Sequence, residues 1–257
     1  MSKAILGILC LVFAQNTSAA DCAASSGKYT VPLLELYTSE GCSSCPPADR
    51  WLSGLAGITA LAGKVTPLAF HVDYWDYIGW KDRFAKPQFS ERQRQINATA
   101  GSRFVYTPQV TLAGKDFRGW QQSSFEKTIG VMSTQPAKAN IDISISSLAD
   151  SATVNVVAGL QSKDETKNAD VFIAVYENKL KNEVKAGENS GRELRHDYVV
   201  SELFGPYPLN SIHDNEVWER ELPFNAAWKH RDLGVAAFIQ DRKNGEVLQS
   251  VSLKSCI

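Results

Sequence analysis

The chain has 257 residues, with 27 Lys and Arg set against 28 Asp and Glu and a net charge of -1. That balance supplies no basic field, so nucleic acid and acidic lipid are excluded as expected partners. Apolar residues make up 44 %, enough for a sizeable core in one large domain or two small ones.

Residues 1–20 read as a cleaved secretory signal: a positive start, "AILGILCLVFA", then small residues at Ser18 and Ala20. The apolar stretch is too short to span a bilayer. Asp21 directly before Cys22 argues against a lipoprotein. No later segment is long and apolar enough to cross a membrane, so the mature protein is expected to be secreted or periplasmic. Cys10 then leaves with the signal, and Cys22, Cys42, Cys45 and Cys256 remain. An even number of cysteines in an oxidising compartment suggests pairing. Spacing makes Cys42 and Cys45 partners. Cys22 and Cys256 are left near the two mature ends, where a structural disulfide is expected, with frayed tails and idle thiols as the alternative.

The run 29–38, "YTVPLLELYT", suits a buried central strand. Residues 46–63 carry Trp51, Leu52, Leu55, Ile58 and Leu61 near helical spacing, with Pro46 and Pro47 in a first turn and Gly63 as a stop. A second strand is expected over 64–72, an aromatic loop over 73–84, a polar helix over 86–100 and a third strand over 104–114. "DFRGW" reads as a fourth short strand, and Ser123 with Glu126 as a capping box opening a last helix. Composition changes near Pro136. Beyond it, "ANIDISISSL" and "ATVNVVAGL" alternate with a period of two, later runs are strand-like, and Asn-Gly in "RKNGE" marks a hairpin turn. The expected fold is an α/β thioredoxin-like domain over 21–135, followed by a mostly antiparallel β-sandwich domain over 136–257.

In this order of elements, Cys42 and Cys45 follow a strand and open a helix. A helix N-terminus carries partial positive charge and free N–H groups, which stabilise a thiolate and lower its pKa. Cys42, open to solvent, is thus the expected nucleophile and Cys45 the resolving thiol. A zinc ribbon would need a second Cys pair or suitably spaced histidines, and the four His are scattered. Thr107-Pro108 opens a later strand, at the place where thioredoxin-like proteins, which this element order resembles, carry a cis-proline facing the cysteines; an ordinary trans edge-strand proline is the alternative, and Thr107 would be free to offer backbone groups to a substrate peptide. Glu35, the only charge in its strand, is a candidate proton acceptor; pairing with an Arg or Lys is the alternative. Tyr74 and Trp75, in a loop with His71, Asp73 and Asp76, are candidates for a client-binding wall or for plain packing. Arg192, Arg195 and His196 in the 187–200 loop either reach the catalytic face or make a structural turn.

Together, "LELYTSEGCSSCPPAD", "FHVDYWD", "YTPQV" and "GENSGRELRHDYVV" resemble a family of secreted bacterial proteins in the thioredoxin superfamily, catalogued as a domain of unknown function. The resemblance covers nearly all of the mature chain and implies a thioredoxin-like N-terminal half bearing the C-x-x-C. It brings no substrate. The chain departs from thioredoxin in having Pro46 and Pro47 after the second cysteine and none between the two, and a longer stretch to Pro108. The expected function is thiol-disulfide oxidoreduction on protein clients without an organic cofactor or a bound metal. The alternatives are a copper carrier using the same dithiol, and a non-catalytic binding or scaffold protein.

Overall fold

A computed structural model describes residues 22–147, 150–161, 168–209, 215–223, 228–254 and 256. The signal-like segment lies outside them. Fourteen strands and three α-helices are present among the described residues. In chain order these are β1 (Cys22–Ser25), β2 (Leu33–Thr38), α1 (Pro46–Gly54), β3 (Thr66–His71), α2 (Pro87–Thr99), β4 (Gln109–Leu112), β5 (Lys115–Asp116) and α3 (Ser124–Met132). Then come β6 (Ala139–Ser147), β7 (Ser151–Leu160), β8 (Ala169–Glu177), β9 (Leu180–Glu183), β10 (Glu193–His196), β11 (Val199–Pro208), β12 (Glu216–Pro223), β13 (Leu233–Asp241) and β14 (Val247–Lys254).

The expected α/β thioredoxin-like domain followed by a separate β-sandwich is overturned. The chain is mostly β, and one eight-stranded sheet, ordered β14-β13-β8-β11-β3-β2-β4-β5, draws on both sides of Pro136. Local periodicity reports strands but not which remote strands pair, and that pairing decides the fold class. The joint is narrow. Parallel β11 meets β3 at the single register pair Val199↔Ala69, with Ala69 N–H donating to the Tyr198 carbonyl at 2.8 Å. A second sheet, β1-β6-β7-β12, and the small pair β9-β10 complete the architecture.

β2 lies between parallel β3 and antiparallel β4, so all six of its residues are buried, as its apolar run requires. One core packs the helices against this part of the sheet and continues through Val199, Val200, Ala236 and Phe238. A second core fills the space between Ile141, Ile143, Val154 and Val156 of the small sheet and Val171, Ile173, Val235 and Ile239 of the large one. Alternate residues of β8 and β13 therefore serve different cores, as strand geometry dictates. The Asn-Gly turn is present, with Gly245 at φ 74° between β13 and β14. Gly114, at φ +82°, admits no side chain, because a Cβ there would meet the Gly245 carbonyl oxygen at 1.9 Å. Helix α1 ends at Gly54 and the chain continues in short 3-10 turns, so the expected long helix is broken. Ser123 precedes α3 but makes no side-chain capping bond.

Cys22 and Cys256 form a disulfide across 234 positions, tying β1 to the far end of the chain. In loop-entropy terms such a closure contributes about 5 kcal/mol, and measured losses of native bridges run at about 2–5 kcal/mol. Replacing both residues by Ser is expected to lower the unfolding free energy in urea by about 2–5 kcal/mol, with the Cys42–Cys45 bridge intact by thiol assay.

Candidate functional site

Strand β2 ends at Thr38, and the chain turns through Ser39 to Cys45 into α1. The turn is held by Cys42 N–H to the Ser39 carbonyl, 3.1 Å, and Cys45 N–H to the Cys42 carbonyl, 3.2 Å. Cys42 and Cys45 are joined by a disulfide with their Cα atoms 5.4 Å apart. Cys45 is the residue capping α1. Pro46 and Pro47 follow and have no N–H, while the Ala48 and Asp49 amides are spent on the Cys45 carbonyl. The four leading groups of the helix therefore present no free N–H to the Cys42 sulfur, contrary to the expected amide cradle. What does reach it is the Ser44 hydroxyl, whose Oγ lies 3.3 Å from Cys42 Sγ.

Cys42 is also not open to solvent: it is 1 % exposed and Cys45 is 0 % exposed. Two remote segments bond to or pack on this turn. Asn189, itself fully buried, donates from Nδ2 to the carbonyls of Glu40 and Cys42 at 2.8 and 2.9 Å, and its Oδ1 accepts from Arg192. Glu188 accepts the Ser43 N–H at 2.9 Å, and the Ser43 side chain and N–H hold its carboxyl below the usual range. On another side the aromatic loop closes in. A Cβ on Gly41 would meet Trp75 Cβ at 3.2 Å and Ile78 at 3.3 Å, so Gly41 lets the loops touch.

The Thr107–Pro108 peptide is cis. Ser44 Oγ lies 3.5 Å from the Thr107 carbonyl, and Trp75 Nε1 donates to Thr107 Oγ1 at 2.7 Å. Cys42, Cys45, Thr107, Pro108 and Trp75 are thus brought together. Beyond Pro108 a groove of about 430 Å³ is lined by Tyr106, Val110, Phe117, Arg118 and Trp120. Tyr74 reaches the same edge, its hydroxyl donating to Gln93 and interacting with the Thr107 side chain.

Glu35 is not brought to the sulfurs. Along β2, Thr38 points to α1, where its hydroxyl donates to Asp49, while Glu35 lies on the opposite face. There it accepts from Arg92 Nε at 2.7 Å, Tyr37 at 3.0 Å and Thr111 at 3.2 Å. Burial, then the Glu35 charge, push the Tyr37 pKa well up. Glu35 is part of a closed ion pair, not a proton acceptor for the cysteines.

A buried polar cluster at the α1 face was only partly legible in the sequence. In the register of β2 and β3, Thr38 pairs with His71, so both side chains face α1. His71 Nδ1 lies 2.6 Å from Asp82 Oδ2. Burial raises the Asp82 pKa, but the His71 contact and the N–H groups of Glu40 and Phe84 outweigh it and hold the carboxyl low. His196 arrives from β10, its Nε2 3.3 Å from Glu40 Oε1 and its Nδ1 3.8 Å from Asp49 Oδ1. Neither ring nitrogen is aligned for a hydrogen bond. Burial opposes charge on this ring, yet Asp49 and Glu40 prevail and raise its pKa to about 10. Glu40 further accepts from Trp80 Nε1 and Asn182 Nδ2. Asp73 and Asp76 serve loop hydrogen bonds, and Arg195 pairs with Glu193 at the surface. Asp82 and Asn189, central here, carry no spacing signal in the sequence.

The fold and site define a mostly β protein with a buried C-x-x-C disulfide set over a carboxylate–imidazole cluster. The chain belongs to the family described as "Protein of unknown function (DUF1223)", whose pattern matches residues 33–240. Among solved structures it is similar to protein AGR_C_4864 from Agrobacterium tumefaciens, with 25 % identity, a TM-score of 0.62, and coverage of 89 % of this chain and 96 % of that one. It is also similar to HBP35 of Porphyromonas gingivalis, at 15 % identity and a TM-score of 0.68, covering 89 % of this chain and 76 % of the other. No curated protein matches.

Truncating Arg92 to Ala strands the Glu35 charge in the core. The expected cost is about 3–5 kcal/mol in denaturant unfolding. The rate at which dithiothreitol reduces Cys42–Cys45 in the folded variant is expected to be unchanged.

Proposed function

We propose that this chain is an exported thiol-disulfide exchange protein whose Cys42–Cys45 pair reacts with protein clients. The observation that carries the reading is the placement of Ser44, 3.3 Å from the Cys42 sulfur and 3.5 Å from the carbonyl of Thr107. It joins the disulfide to the backbone edge and aromatic groove that an extended client would occupy. The second disulfide and the signal-like N-terminus support an oxidising compartment. No helix among the described residues is long and apolar enough to cross a membrane.

In the exchange a client thiolate attacks Cys42 Sγ, the Cys42–Cys45 bond breaks, and Cys45 leaves as a thiolate that takes a proton from water. A second client thiol, losing its proton to water, attacks the client sulfur of the mixed disulfide, and Cys42 leaves as a thiolate. The client loses two electrons and the protein gains them; run backward, the same steps reduce a client disulfide. The Ser44 hydroxyl donates to the departing Cys42 thiolate in place of the missing helix amides. Because both sulfurs are buried, the Glu188–Asn189 cover has to lift before attack.

Burial also favours a second reading, in which the bridge is structural and the fold is a binding scaffold. The two separate in one experiment. In Cys45→Ala, expressed in its native compartment, disulfide-trapped partners are expected on non-reducing gels and are expected to vanish when Cys42→Ala is added. In Asn189→Ala, loss of two hydrogen bonds on the cover is expected to speed dithiothreitol reduction of Cys42–Cys45 about tenfold, equal to about 1.4 kcal/mol. An empty gel together with a reduction rate unmoved by Asn189→Ala establishes the scaffold reading.

A further inference from the structure

We propose that Asp49, His71 and His196 form a binding site for one divalent transition-metal ion of the zinc type, separate from the dithiol. One ligand atom from each of the three side chains can be chosen so that all lie within 4.8 Å of one another, and all three residues are buried. A tetrahedral zinc site has bonds of about 2.0–2.2 Å to such ligands, which places ligand atoms roughly 3.4 Å apart. Closing the widest observed spacing, 4.8 Å, takes up to about 1.4 Å.

The hydrogen-bond pattern points to a ligand independently of that spacing. Buried polar atoms almost always have partners. Two of the atoms that lack one belong to the proposed ligand set, His71 Nε2 and His196 Nδ1; two more, Glu40 Oε1 and His196 Nε2, stand 3.3 Å from each other behind it. His71 is 0 % exposed, and Asp82 already takes its Nδ1 at 2.6 Å, which leaves Nε2 as the nitrogen with a lone pair to give. His196 is arranged the same way. Its Nε2 lies beside the Glu40 carboxylate and its Nδ1 beside Asp49. A carboxylate behind each imidazole orients the ring and raises its basicity as a metal ligand. Glu40 and Asp82 are thus positioning residues, while Asp49, His71 Nε2 and His196 Nδ1 bind the ion.

Two imidazoles and one carboxylate suit zinc, cobalt(II) and related ions, not calcium or magnesium, which take oxygen ligands. The three ligands come from α1, β3 and β10, so an ion there would clamp the β9–β10 hairpin, and the cover that follows β9, to the helix that Cys45 caps. Without an ion, the imidazolium of His196 between two carboxylates is the competing state, and the experiment has to separate the two.

The test uses the full mature chain, tag-free, with both disulfides closed. Zinc titrated into it is expected to bind one ion per chain and to raise Tm with zinc concentration. Cobalt(II) in its place is expected to give visible bands of a nitrogen–oxygen tetrahedral site without sulfur-to-cobalt charge transfer in the near ultraviolet. Asp49→Asn is expected to weaken uptake at least tenfold, and Cys42→Ser/Cys45→Ser to leave it intact. No stoichiometric zinc at micromolar concentration in the parent protein overturns the proposal. So does a sulfur-to-cobalt band, or uptake lost with the cysteines and kept in Asp49→Asn. None of these readouts depends on client trapping, so this site and the exchange chemistry stand or fall separately.

Discussion

Glu40 is the constraint on which the arrangement around the disulfide depends. Its side chain accepts from Trp80 and Asn182 and stands 3.3 Å from His196. Its backbone N–H goes to Asp82 and its carbonyl accepts from Asn189. Those partners come from the aromatic loop, the β9–β10 hairpin and the loop between its strands. A fully buried carboxylate is costly unless its oxygens are hydrogen-bonded and its charge is opposed. Glu40 can therefore be buried only when all three segments are in place. It sits two residues before Cys42, so the conformation of the C-x-x-C loop and the closure of the remote segments are one event.

That coupling reshapes the chemistry expected of the cysteines. An accessible thiolate at a helix start is the usual route to reactivity. Here two prolines remove amides from that start, and a loop from the other half of the chain is hydrogen-bonded to the backbone on either side of a buried Cys42. Reactivity, on the proposed reading, is gated by the Asn189 contacts and supported by a hydroxyl. The cluster beneath gives the gate a physical basis, because His196 and Asn182 sit on the hairpin that flanks it.

Much of the element order was legible from local pattern. The apolar run of β2, the prolines opening α1, the alternation of β6 and β7 and the Asn-Gly turn all act within a few residues of themselves. The fold class was not. Whether β11 lies beside β3 or within a separate sandwich depends on strands more than a hundred residues apart, and periodicity is identical in both arrangements. Glu35 shows the same limit at the level of one residue. Its place in an apolar strand implied burial, but its partner, Arg92, lies 57 positions away and on the opposite face from the cysteines.

By itself the sequence determined that Cys42 and Cys45 are a local pair at the start of a helix, because three residues of separation leave them little choice. It also led to the expectation that Cys22 and Cys256, left over near the two mature ends, are bridged. Only the tertiary structure decided that the pair is buried, that Glu35 faces away from it, and that Asp49, His71 and His196 converge beside it. Those outcomes are set by strand register and loop closure, which place atoms from remote segments within a few ångströms and leave no trace in the local order of residues.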